Sequence, residues 1–110
     1  MRQVFFDELS KQDLDTLVDY LNEQAHLSEV EGLYWVEVPH DILDPDQRDT
    51  QADHPFCFAV EIGESWVKFE LLLRSRSNFR SVCSRYAGPD QQRYILEYAN
   101  SVIDRLELKT

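Results

Sequence analysis

Residues Pro55–Arg80 read PFCFAVEIGESWVKFELLLRSRSNFR, and the two strand-like runs on either side of Gly63-Glu64 decide the fold. Glycine at the first position of a two-residue connection suits a type II′ turn, whose twist matches the strands it joins. That turn predicts Ile62 opposite Ser65, Val60 opposite Val67, Phe58 opposite Phe69 and Phe56 opposite Leu71. All but Ser65 are apolar, so the hydrophobic side chains of both strands share one face. The other face receives Glu61 with Trp66, Ala59 with Lys68 and Cys57 with Glu70. A slip of one residue would mix the two sets.

Upstream, Leu9-Ser10-Lys11-Gln12-Asp13-Leu14 has the form of a helix start. Ser10 is placed to cap the N–H of Asp13, and the Asp13 carboxylate suits the positive helix end. Leu14, Leu17, Val18, Leu21 and Ala25 recur at helical spacing, which predicts a helix from Lys11 to about His26. Phe5 and Phe6 precede it and are expected to pack on the core. Gly32–Pro39 is aromatic and β-branched and predicts a first strand, with Tyr34, Val36 and Val38 inward and Leu33, Trp35 and Glu37 outward. His40–His54 is long, rich in aspartate and without periodicity, so it is expected to be a loop.

Downstream, Phe79, Val82, Cys83 and Tyr86 fall at i, i+3, i+4 and i+7, predicting a short helix capped by Asn78 and stopped by Gly88. Pro89 and Asp90 open a last helix. Its apolar face is Ile95, Leu96, Ala99, Val102, Ile103 and Leu106. A helix so one-sided must lie on an apolar surface, and the hairpin offers one. The expectation is an α+β fold in the order α-β-β-β-α-α, a three-stranded antiparallel sheet with helices packed on one face. Residues 1–110 are expected to form a single domain.

The chain carries 21 acidic and 11 basic side chains, a net charge of −10. That field repels nucleic acid and anionic membrane surfaces, so neither is an expected partner. No apolar run approaches the roughly 20 residues that span a bilayer. MRQVFFDELS lacks the pattern of a secretory leader, and Cys57 and Cys83 have no metal or redox spacing. A soluble, cytoplasmic protein is expected.

Charge is unevenly spread. Residues 1–64 hold 16 acids and 3 bases, whereas residues 74–93 hold five arginines and the single acid Asp90. Arg74, Arg76 and Arg80 bracket the expected helix start at Asn78, where free N–H groups also attract anions, so they form a candidate anion site. The competing reading pairs these arginines with Glu70 or with the aspartate-rich loop, or leaves them solvated.

No catalytic residue set emerges. The serines have no G-x-S-x-G context, and three glycines form no phosphate-binding loop. A metal-nuclease reading of Pro45-Asp46 needs an acid two residues before Lys68, where Trp66 stands. The aspartate-rich loop breaks the EF-hand pattern at Arg48, and His40 and His54 lack zinc spacing, so no metal or cofactor is expected.

The outward sheet face is the remaining candidate. It is expected to present Trp35, Trp66 and Leu72, and half-apolar surfaces with tryptophan commonly meet another protein. The alternative is that Phe5-Phe6 or the acidic loop covers it. The reading is a small acidic protein-binding module (adaptor, regulator or chaperone-like), with a protein partner bearing a basic segment and a homodimer expected. Its alternative is an anion-recognition module at the arginine cluster.

Overall fold

The computed structural model describes residues 2–45, 47, 56–75 and 85–110. Its strands are β1 (Gln3–Phe6), β2 (His26–Leu27), β3 (Leu33–Glu37), β4 (Phe56–Ile62), β5 (Val67–Glu70), β6 (Leu72–Ser75) and β7 (Arg85–Tyr86). The helices are α1 (Lys11–Gln24) and α2 (Pro89–Arg105), with one 3-10 turn at His40–Ile42. Among the described residues the class is α+β, with two helices and an antiparallel sheet of seven strands rather than three.

The extra strands have separate causes. β1 is the Val4-Phe5-Phe6 run, which adds along β5 with Val4 opposite Phe69. β2 forms where the chain leaves α1 and turns back on β3, His26 opposite Trp35. The expected second hairpin strand is broken at Leu71 into β5 and β6. The sheet runs β1-β5-β4-β3-β2, and β6 pairs with both β4 and β7.

The hairpin loop is Gly63–Trp66, four residues rather than two, closed by Gly63 N–H donating to Trp66 C=O at 2.8 Å. Val60 therefore faces Phe69 and Ile62 faces Val67. The register here differs from expectation by two residues, and past Leu71 by four, Phe56 facing Ser75 rather than Leu71; even shifts leave each side chain on its face. Ser65 is drawn into the loop because its C=O accepts the Leu9 N–H at 2.9 Å. Trp66 is drawn in because its indole lies over Gly63.

A second irregularity sits at Leu71. Beyond the Val60–Phe69 pair, the next match is Cys57 with Arg74, so residues 58–59 span what residues 70–73 span opposite. Such a bulge bends the strand and re-aims its neighbours. Leu71 N–H donates to Arg2 C=O, and Leu71 C=O accepts from Ala87 N–H. One long strand thus passes from pairing with β1 to pairing with β7.

The core lies between one sheet face and the two helices. Leu14, Leu17 and Leu21 of α1 and Ile95, Ala99, Val102 and Ile103 of α2 meet Tyr34, Val36, Phe56, Phe58, Val60, Val67 and Phe69 in one buried cluster. Tyr98 stands edge-on to Phe58 at 5.6 Å and to Phe69 at 6.2 Å, an arrangement that aromatic quadrupoles favour. Ser10 caps α1 as its sequence predicts, accepting Asp13 N–H at 3.1 Å. Gly88 does not stop a helix; it is the N-cap of α2, and its N–H donates to Gln91 Oε1 at 3.0 Å. The expected helix over Phe79, Val82 and Cys83 falls outside the described residues, but its last position, Tyr86, is in strand β7.

Candidate interaction surface

The sheet face away from the helices is built from residues that alternate with the core. Its first row, Phe5–Lys68–Glu61–Leu33, follows from the paired registers. Lys68 Nζ meets Glu61 at 3.2 Å. It also lies 5.8 Å from the Trp66 ring, which packs at a tilt against Phe5, 5.6 Å between ring centres. The second row contains Trp35 beside Ala59 and His26, and the third sets Cys57 between Glu37 and Arg74. His26 Nε2 and Glu37 Oε2 are 3.1 Å apart.

Of the three expected interface residues, Trp35 is not displayed. It is 9% exposed and forms a small buried cluster with Cys57 and Ala59, against which Leu33 packs. The middle of this face is therefore closed. Leu72 is half-buried opposite Tyr86, itself 43% exposed and covered by the Arg2 guanidinium at 4.9 Å. Trp66 is half-buried at the turn, and its neighbour Phe5 is 47% exposed. Apolar exposure on this face thus concentrates at the Phe5–Trp66 corner and at Tyr86.

The arginine cluster is divided. Arg74 Nη2 contacts Glu70 Oε1 at 3.3 Å, and Arg85 Nη2 donates to Asp44 Oδ2 at 2.9 Å. These are the two internal pairings that compete with an anion site. Arg76 and Arg80 lie outside the described residues, as does the expected helix start at Asn78. Arg74 Nε is buried and has no hydrogen-bond partner among the described residues.

Sequence reasoning missed one buried polar knot. Gln91 Nε2 donates to Ile42 C=O at 3.0 Å and to Gln47 Oε1 at 2.9 Å, and Gln47 Oε1 also accepts Asp44 N–H at 3.0 Å. It ties the start of the acidic segment to the first turn of α2. A glutamine three residues after an N-cap was the available clue. The two perturbed titrations lie on α2. Burial pushes Tyr98 up to about 12, with Tyr20 and Tyr94 adding to the rise and Arg105 opposing it. Burial, then Asp41, raises Tyr94.

Between α1 and the Gly63–Trp66 loop lies a groove of about 640 Å³. It is lined by the apolar side chains of Val18, Tyr34 and Ile62, by Gly32 and Gly63, and by the carboxylates Glu31 and Glu64. Gly32 is held at φ +81°, and a β-carbon there would stand 3.1 Å from Ile62 C=O. Beside it, Val30 is 62% exposed in the turn that joins β2 to β3.

Among the described residues no three His, Cys, Asp or Glu side chains are grouped to hold a metal ion, and no helix is long and apolar enough to cross a membrane. No protein-family model matches the chain, and no curated protein or solved structure matches it.

Proposed function

We propose that the chain is a small protein-binding module, an adaptor, regulator or chaperone-like protein, that docks its partner at the turn end of the sheet. The observation behind this reading is the Phe5–Trp66 pair, a half-exposed phenylalanine packed at a tilt, 5.6 Å between ring centres, against an indole held in place by the hairpin loop. Rigid aromatic anchors of this kind carry a disproportionate share of protein–protein binding energy. With Trp35 buried, contact moves from the middle of the face to this corner. The strand beside it, β1, pairs with β5 alone among the described residues, so backbone groups of an edge strand adjoin the anchor.

The test is Phe5→Glu, a change at an exposed position that leaves the core intact. Affinity capture from native extract and light scattering are compared for wild type and variant. The reading expects the variant to weaken capture about tenfold or more, or to lower the mass if the partner is a second copy. An unchanged partner set together with an unchanged mass defeats it.

A further inference from the structure

We infer that the groove between α1 and the Gly63–Trp66 loop receives a basic segment of a partner protein, with an aliphatic side chain seated on Val18, Tyr34 and Ile62. This names the partner chemistry for the protein-binding reading above and rests on it.

Three features of the groove point the same way. Val18, Tyr34 and Ile62 make its lining apolar, so an aliphatic side chain seated there is removed from water. At about 640 Å³ it has room for more than one aliphatic group. Both charged residues in its lining, Glu31 and Glu64, are carboxylates, and among the described residues no cationic side chain lines it.

Its surroundings extend that sign. Glu29 sits in the turn that also exposes Val30, and Asp15 lies three residues before Val18, hence on a neighbouring strip of α1. Lys68, on the opposite face of the sheet, is engaged by Glu61 at 3.2 Å. Charge also selects among occupants. A second copy would bring its own net −10 to an acidic lining, whereas lysine or arginine on either side of a leucine would be drawn to Glu31 and Glu64. A basic, apolar-centred segment is the chemistry that fits.

The experiment is a ¹⁵N chemical-shift titration of the full chain at low salt. The probe is an acetylated peptide of sequence Lys-Arg-Leu-Leu-Lys-Arg, compared with a control carrying serine at the four basic positions. The basic peptide is expected to move the Gly32 and Gly63 amides and to bind about five- to tenfold less well to the double variant Glu31→Lys, Glu64→Lys. The same binding should weaken as salt is raised. Val18→Ala, which keeps the helix, should weaken both peptides. The proposal is overturned by shifts confined to other residues, by no shifts, by equal binding of the serine control, or by equal binding to the charge-reversed variant. If the groove fails while Phe5→Glu still abolishes capture, the protein-binding reading stands without it. If Phe5→Glu changes nothing and the peptide still moves Gly32 and Gly63, the anchor is wrong and the groove remains.

Discussion

The indole of Trp66 occupies the space that a β-carbon at residue 63 would need: an added methyl would stand 2.1 Å from ring atom Cε2. Gly63 is therefore required for room. Gly63→Ala should displace the ring from its place against Phe5 and cost about 1–3 kcal/mol, the range for overpacking. Urea unfolding gives the stability change and tryptophan emission reports the ring. Equal stability with an unshifted emission maximum would contradict the packing.

Two residues past the end of helix α2, Glu107 stands at φ 55°, with Leu108 N–H donating to Ile103 C=O at 3.0 Å and Glu107 N–H donating to Asp104 C=O at 3.2 Å. This is the Schellman arrangement, in which the left-handed residue is most often glycine. Glu107→Gly should relieve that strain and stabilise the fold by up to about 1 kcal/mol. A lower denaturation midpoint for the variant would count against it.

Tyr98 titrates well above an ordinary phenol, at about 12 rather than 10.0, first because it is buried against Phe58 and Phe69. Between those values the unfolded chain loses this proton and the folded chain keeps it. Stability from this group is thus complete below pH 10 and declines as pH rises toward 12. Tyr98→Phe should flatten that alkaline decline in a melting-temperature profile. Identical slopes for the two proteins above pH 10 would remove Tyr98 as its source.

Gln91→Leu should be costly although it adds apolar surface. It strands Gly88 N–H and Ile42 C=O and takes a donor from buried Gln47. A loss of about 2–4 kcal/mol is expected, since buried polar groups left unpaired bear their full desolvation. Hydrogen exchange should quicken at Leu43 and Asp44. A variant as stable as wild type would show the knot to be energetically idle.

Much of the fold was legible where two local rules agreed. Ser10 and the Leu14–Leu17–Leu21 spacing located α1, and alternation along Phe56–Ile62 sorted the core face correctly. The loop length was misjudged because Ser65 is claimed by Leu9, a tertiary contact that turn chemistry does not encode. β2 and β7, two residues each, are too short for any periodicity. Trp35 looked outward by alternation, which is correct for its face and silent about what buries it. The groove was illegible for a related reason, since Val18, Tyr34 and Ile62 lie far apart in the chain and each reads alone as core.

The pairing of β1 with β5 joins Gln3 to Glu70, positions separated by most of the chain. During synthesis the Val4-Phe5-Phe6 segment leaves the ribosome long before its template exists, while β3, β4 and β5 are closer in order and free to zip together first. Until Glu70 has emerged, that greasy leading stretch has nothing of its own to bind. An unpaired apolar strand of this kind is what favours aggregation in incompletely folded chains.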